Sequence, residues 1–346
     1  MLCLIILLGA MAGLGVYIFV INRTLSYLKD GIRKSTAIPS AFVLIVGGFV
    51  TMGYISWPSL WAWSPLLVLV GIGVGEVVQL VQQKKLRGDP PVSVDGPPQS
   101  LFRPVTTTDL HIRHYQVRSA DWHGERLRVA HLSDLHVNET IPLSYYQHVI
   151  ERLNQEEPDL VFITGDFVTE ACYAQLLPGV LEPLTSRLGI YAVLGNHDYW
   201  VGPWQIAEIV SKAGIELLYN GWRRLEVGDG NEVLLMGCEA PWGPAPWSPP
   251  LVQADEFVLA LSHTADNIYD LSRAGAKAVF SGHYHAGQFQ VPGLGPLVVP
   301  SAYGRRFNQG HFVVNGTHLF VTAGAGVGKP VLRLYCPPDI LIVDFV

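Results

Sequence analysis

The sequence predicts an α/β fold in which two β-sheets pack together with helices outside, preceded by an apolar amino-terminal segment. Three observations predict it. Residues 1–82 hold nearly uninterrupted apolar runs, whereas 100–346 have the composition of an ordinary globular domain. Between Arg128 and Leu218, short buried runs alternate with stretches of helical spacing, as in parallel-sheet units. From Arg223 onward the pattern changes to runs flanking Asp229-Gly230 and Asn315-Gly316, which are hairpin signals.

The apolar segment comes first. Leu2–Ile21, Ile38–Ser56 and Leu60–Val81 each run to roughly 20 residues, enough to cross a ~30 Å hydrocarbon core as a helix. Trp57, Trp61 and Trp63 cluster at the turn between the second and third runs, as aromatic residues do at a membrane interface. Glu76 and Gln79 lie near the end of the third run, where they can reach headgroups. No basic residue precedes Leu2, so the first run reads as a retained span and not a cleaved signal. Arg23, Lys29, Arg33 and Lys34 follow the first span, and Lys84, Lys85 and Arg87 the third. With both groups in the cytoplasm, the chain crosses three times and the globular domain is cytoplasmic. The expected domains are an anchor over 1–87, a Pro/Gly/Ser-rich linker over 88–100, and a catalytic domain over 101–346.

In the globular part, Leu110–Val117 alternates like an edge strand, and Arg128–Leu132 is a buried strand running into Ser133-Asp134. Pro142–Glu156 has helical spacing, and Asp159–Thr164 is a strand ending at Gly165-Asp166. Leu176–Arg187 reads as helix and Ile190–Leu194 as a strand ending in Gly195-Asn196-His197-Asp198. Trp204–Lys212 is a further helix, then Ile215–Leu218 a strand. Arg223–Val227 and Val233–Gly237 form one hairpin; His311–Val314 and Leu319–Thr322 form the other. Phe257–Ser262 and Ala278–Ser281 are buried strands ending at His263 and at Gly282-His283. Sites in such sheets form beyond the carboxyl ends of the strands.

Bulk properties exclude several functions. Hydrophobic residues make up 49% and charged residues 15% of the 346, too little charge for a wholly soluble chain. A formal charge of −6 gives no basic footprint for nucleic acid, so no nucleic-acid partner is expected. Cys3, Cys172, Cys238 and Cys336 form no CxxC pair, which indicates neither a disulfide scaffold nor a zinc knuckle. Gly324-Ala325-Gly326-Val327-Gly328-Lys329 suggests a phosphate loop. It fails because Ala323 stands where the first glycine belongs and Pro330 replaces the Ser/Thr that would reach Mg²⁺. Gly71, Gly73 and Gly75 sit inside a span, where small residues serve helix packing.

The chemistry lies in five stretches: Asp134 and His136 in SDLH, Asp166 after Gly165, GNHD with Asn196, His197 and Asp198, His263 in SHTAD, and His283 and His285 in GHYH. No fold needs so many metal-capable side chains at strand ends, whereas a pair of ions that activates water does. Asp134 and His136, two apart, can grip one ion; His283 and His285 have the same spacing. Asp166 and Asn196 follow glycines that let the backbone turn sharply. Oxygen and nitrogen ligands without thiolate favour Mn²⁺, with Fe, Zn²⁺ or Mg²⁺ as alternatives.

These motifs, in this order, resemble the calcineurin-like metallophosphoesterase superfamily from about Arg128 to the carboxyl terminus. The resemblance implies a four-layer α/β/β/α sandwich with two divalent ions. Asp134, His136, Asp166 and His285 would hold one ion; Asp166 (bridging), Asn196, His263 and His283 would hold the other. His197 would donate to the leaving group or transition state, oriented by Asp198. Water made acidic between the ions would attack phosphorus in line. One departure is His263-Thr264-Ala265-Asp266, where the membrane-associated branch usually has His-x-Pro-Asp.

The run Tyr303-Gly304-Arg305-Arg306-Phe307 and the later VLRLYCPPDILI look like that branch, which resembles bacterial UDP-2,3-diacylglucosamine pyrophosphatases of lipid A synthesis. The expected substrate is a lipid-linked diphosphate, with Arg305 and Arg306 binding phosphate oxygens and the bilayer of the bacterial inner membrane as partner. Tyr199, Trp200, Trp204, Trp242 and Trp247 supply aromatic loops for acyl chains or headgroups. Two readings stand beside it: a broader phosphodiesterase on soluble nucleotides or nucleic acid, and a metal-binding membrane sensor without turnover.

Overall fold

A computed structural model describes residues 1–24, 32–57, 59–228, 230–243, 247–253, 256–296 and 298–346. The chain folds as two compact units, Met1–Lys85 with Leu297–Arg306, and Leu86–Pro296 with Phe307–Val346. This division differs from the expected boundaries. A short segment distant in sequence belongs to the amino-terminal unit, and the expected linker lies wholly within the globular one.

The first unit contains α1 (Leu2–Thr24), α2 (Ile32–Ile55) and α3 (Ser64–Leu86). Among the described residues, three windows are long and apolar enough to cross a membrane: Leu2–Ile21, Ala37–Ile55 and Ser64–Leu86. The third begins later than the expected Leu60, because Leu60–Trp63 winds as a 3-10 turn ahead of Ser64-Pro65. Proline fits the first turn of a helix, where its missing N–H has no partner to lose. Small residues do let two helices approach, but on α1. A Cβ on Gly13 would lie 2.8 Å from the Val46 Cα of α2, whereas Cβ atoms on Gly71, Gly73 and Gly75 would meet nothing. The packing role expected of the three α3 glycines is therefore not seen among the described residues.

The second unit begins with β1 (Ser93–Asp95), β2 (His111–Val117), β3 (Leu127–Leu132), α4 (Leu143–Asn154), β4 (Leu160–Ile163), α5 (Leu177–Leu181) and β5 (Ile190–Ala192). It continues with α6 (Asn196–Val201), α7 (Pro203–Lys212), β6 (Glu216–Leu217), β7 (Trp222–Gly228), β8 (Asn231–Cys238), β9 (Phe257–Ser262) and α8 (Ile268–Arg273). The remainder is β10 (Ala278–Ser281), β11 (Gln290–Val291), β12 (Gly295–Pro296), β13 (Gly310–Val314), β14 (Thr317–Val321) and β15 (Asp339–Phe345).

One sheet has the order β1-β2-β15-β3-β4-β5-β6 and the other β13-β14-β10-β9-β8-β7; β11 and β12 pair separately. The period-two alternation of strands places their faces. In β3, Leu127 and Val129 join Phe162, Leu259, Phe280 and Phe320 in a core between the sheets. Ala130 and Leu132 face the other way, against Tyr146, Val149 and Ile150 of α4 and Ile206 and Val210 of α7. The mixed α/β two-sheet architecture expected from the sequence is thus observed. Phe280 is fully buried with ring centroids 5.1 Å from Phe162 and 5.4 Å from Phe320. Phe280→Ala should cost about 3–5 kcal/mol, measured as a lowered denaturation midpoint of the full-length chain in detergent.

Two sequence expectations change. β2 is not an edge strand: β1, from within the expected irregular linker, pairs with it antiparallel, and β15 pairs with its other side in parallel. An extended segment beside an open edge satisfies backbone groups by pairing. The expected helix over Leu176–Arg187 shortens to Leu177–Leu181 after a 3-10 turn at Ala171–Leu176, because Pro183 has no N–H with which to continue the helical hydrogen-bond ladder. The two hairpins form as expected, although Asp229 lies outside the described residues.

Candidate metal centre

β3, β4 and β5 run parallel in one sheet, and β9, β10 and β14 in the other. Their carboxyl ends deliver all five motifs. Asp134 and His136 follow β3, Asp166 follows β4, Asn196 and His197 open α6 after β5, His263 follows β9, and His283 and His285 follow β10.

These side chains converge. The ligating atoms of Asp134, His136 and His285 lie within 4.8 Å of one another, as do those of Asp166, His263 and His283. Asp166 Oδ2 is 3.4 Å from His136 Nε2 and 3.3 Å from His263 Nε2, so one carboxylate faces both groups. His285 Nε2 is 3.3 Å from Asp134 Oδ1 and 3.0 Å from His136 Nε2. Asn196 Oδ1 is 3.0 Å from His263 Nε2, which is 3.2 Å from His283 Nδ1.

The backbone shows that this convergence is imposed. Asp134, His136, Asp166, His283 and His285 have φ of 52°, 44°, 57°, 71° and 49°, a region that L-residues rarely adopt and that clusters at functional sites. The surroundings hold them there. Asp134 N–H donates to Gly165 O, and His136 N–H to Asp166 O, each at 2.9 Å. His283 N–H donates to Asp134 Oδ2 at 2.9 Å. A Cβ on Gly282 would collide with the Ser133 hydroxyl and the Asp134 carboxylate. Gly282→Ala should therefore lower affinity for Mn²⁺ at least tenfold by displacing Asp134, a loss that calorimetric titration would record.

The electrostatics suit cations. Burial pushes His136 down to about 3 and carries His283 and His285 well below their usual value, leaving neutral imidazoles with lone pairs. Burial pushes Asp134 up to about 6. Burial also works to raise Asp166, but His263, His197 and His136 together take it well below the carboxylate range. His263, disfavoured as a cation by burial, is raised to about 9 by Asp166 and Asp134. A divalent ion could take the place of that proton. His263 Nδ1 lies 2.5 Å from Thr164 O, which directs Nε2 into the site. The donor set, oxygen and imidazole nitrogen with one shared carboxylate, fits a pair of divalent ions.

The remaining site expectations fare differently. The His197 ring lies 4.7 Å from that of His136 and 4.8 Å from that of Trp200, half-exposed at the margin of the cluster. Asp198 does not orient it. Its carboxylate accepts backbone N–H groups of Asp166 (2.8 Å), Phe167 (2.9 Å) and Gly195 (2.9 Å), because at the start of α6 it faces the turn after β4. Burial pushes Asp198 up to about 7. Arg305 pairs with Glu76 at 2.7 Å, and Arg306 hydrogen-bonds Gln82, all within the amino-terminal unit. Both guanidinium groups, expected on phosphate, thus engage polar side chains of α3.

Trp242 lies against His283 and His263, with ring centroids 5.0 and 5.5 Å away. Trp247 donates to Gly237 O at 2.9 Å, while Trp204 is 76% exposed. The turn lacking proline is held otherwise: Thr264 Oγ1 accepts from Asp266 N–H at 3.2 Å, and Tyr284 OH donates to Asp266 Oδ1 at 2.7 Å. Sequence reasoning missed Glu239. Fully buried, it accepts Leu194 N–H at 2.7 Å and the Tyr199 hydroxyl, steadying the loop that carries Asn196. No motif marks it.

The paired sheets bring together a cluster of His and Asp side chains that could hold divalent metal ions. Residues 127–287 match the family model of calcineurin-like phosphoesterases; the chain carries that domain and is a hydrolase of phosphoric esters. It is similar to an uncharacterized metallophosphoesterase of Bacillus subtilis, 26% identical over 229 residues, 64% of this chain and 79% of the relative. A phosphodiesterase of Escherichia coli is 28% identical over 224 residues, 63% and 82% of the two chains. A UDP-2,3-diacylglucosamine pyrophosphatase of Chlamydia muridarum is 37% identical over 82 residues, 23% of this chain and 24% of that one.

Proposed function

We propose that this chain is a membrane-anchored hydrolase that cleaves the diphosphate of a lipid-linked nucleotide such as UDP-2,3-diacylglucosamine. The convergence of Asp134, His136, Asp166, Asn196, His263, His283 and His285 carries the catalytic reading. Asp134, His136 and His285 hold one divalent ion, Mn²⁺ by first choice; Asn196, His263 and His283 hold the other, and Asp166 serves both. Divalent ions held by these residues would supply Lewis acidity, making water more acidic and offsetting the charge of the phosphoryl group. The half-exposed His197 imidazole donates a hydrogen bond to the phosphoryl or leaving-group oxygen as negative charge develops. Asp198 keeps the turns carrying Asp166 and Gly195 in register.

The three apolar helices and the partial likeness to the Chlamydia pyrophosphatase support a substrate that resides in the membrane. The experiment is a competition in detergent micelles with Mn²⁺, using the purified full-length chain. UDP-2,3-diacylglucosamine should be cleaved faster than soluble nucleotide diesters. Equal or faster cleavage of the soluble esters would remove the lipid reading. It would leave a broader phosphodiesterase, the activity named for the Escherichia coli relative.

Residues 101–346 provide the catalytic domain on the cytoplasmic side of a bacterial inner membrane, as the basic residues flanking the spans suggest. Cys3 and Cys172 are exposed whereas Cys238 and Cys336 are buried, so in a Cys3→Ser chain Cys172 serves as a topology probe. A membrane-impermeant maleimide should leave Cys172 unlabelled in intact spheroplasts and label it after lysis. Labelling before lysis would put the domain outside.

A further inference from the structure

Arg333 is fully buried, and among the described residues no carboxylate forms an ion pair with it. Burying a guanidinium without a counterion costs several kcal/mol unless every donor is satisfied. Here backbone oxygens satisfy it. Nε donates to Gly326 O at 3.0 Å, and Nη2 to Gly326 O at 2.6 Å, Ala323 O at 2.7 Å and Gly324 O at 3.1 Å. The other edge of the fork meets the loop after β10. Nη1 lies 3.4 Å from His285 O, and Nη2 lies 3.3 Å from His285 Nδ1. Cys336 Sγ adds a 3.3 Å contact to the same carbonyl.

The segment it grips leads to another ligand. Ala325 N–H donates to Ser133 O and Gly326 N–H to Asp134 O, each at 2.9 Å. Arg333 therefore ties the backbone that buttresses Asp134 to the carbonyl of His285; the Nδ1 edge of that ring, which carries the proton when Nε2 serves a metal, packs beside the guanidinium without a hydrogen bond, since arginine has no acceptor. Asp134 and His285 belong to the same triad; among the described residues, the hydrogen-bond partners of Arg333 include no member of the Asp166–His263–His283 group.

We infer that Arg333 is a positioning residue for one of the two metal ions, setting the geometry of the Asp134–His136–His285 triad through His285. The inference rests on the metal-centre reading above. A guanidinium repels a divalent ion by charge, so its contribution has to come through geometry. The rigid five-donor fork supplies that, and the single ammonium of lysine does not. Removing such an outer partner typically costs 10–100-fold in metal affinity.

The test uses the full-length chain in detergent, titrated with Mn²⁺ by calorimetry and followed by electron paramagnetic resonance. The wild-type chain should bind two ions and give a spin-coupled spectrum. Arg333→Lys keeps the charge, and Arg333→Gln keeps two donors without charge. Each should retain one ion at wild-type affinity and bind the second about 10–100-fold more weakly, converting the coupled spectrum to that of isolated Mn²⁺. In a His285→Ala background, Arg333→Lys should add no further loss. Wild-type binding of both ions in either variant, equal weakening of both, or failure of both variants to fold assigns Arg333 to the scaffold alone and overturns the inference. A wild-type chain that binds no ion would instead overturn the metal-centre reading itself.

Discussion

Asp166→Asn should strip both ions from the protein and abolish phosphoester hydrolysis. Its carboxylate faces an imidazole nitrogen of both histidine sets, at 3.4 Å from His136 and 3.3 Å from His263. An amide of the same shape keeps one oxygen but loses the negative charge that raises His263 and opposes two dications. Loss of an outer partner alone costs ~10–100-fold in affinity, so losing the shared ligand should cost at least the upper part of that range at each ion. The fold should survive, because the backbone N–H bonds to Asp198 that hold this turn do not involve the Asp166 side chain. Metal content by plasma mass spectrometry and turnover measured on one preparation would decide. A variant that still carried two ions per chain would refute the bridging role.

The second large effect separates metal binding from chemistry. His197→Ala should leave both ions in place and lower turnover by ~10²–10⁴-fold, the usual worth of a positioned proton donor. The imidazole stands at the margin of the cluster beside His136 and Trp200, while its backbone N–H donates to Asp166 Oδ1 at 2.8 Å. Alanine retains that backbone bond, so the geometry of Asp166 persists and only the side chain's contribution is lost. Unaltered single-turnover rates with full metal occupancy would reject the role.

The histidines and carboxylates at strand ends were legible because each motif combines local signals. A buried run of β-forming residues stops at glycine or serine, and a metal-capable side chain follows within a few positions. The apolar helices were legible for a similar reason, since length and hydropathy are properties of contiguous residues. Asp198 shows where local reading stops. Its neighbour in sequence is His197, yet its carboxylate serves Asp166, Phe167 and Gly195. Arg305 and Arg306 repeat the lesson: guanidinium chemistry and the likeness of the surrounding run suggested phosphate, while the structure gives each a partner on a helix more than two hundred positions away.

The residues that can bind metal, their order along the chain and their places at strand ends follow from short stretches, because strand-forming and turn-forming preferences act over a few neighbouring positions. How these groups sort into Asp134–His136–His285 and Asp166–His263–His283 depends on the order of strands in two sheets. So do the insertion of β15 between β2 and β3 and the burial of Arg333 beneath His285. Those pairings join residues more than two hundred positions apart, as Asp339 and His111 are, and packing between whole sheets, not local preference, selects them.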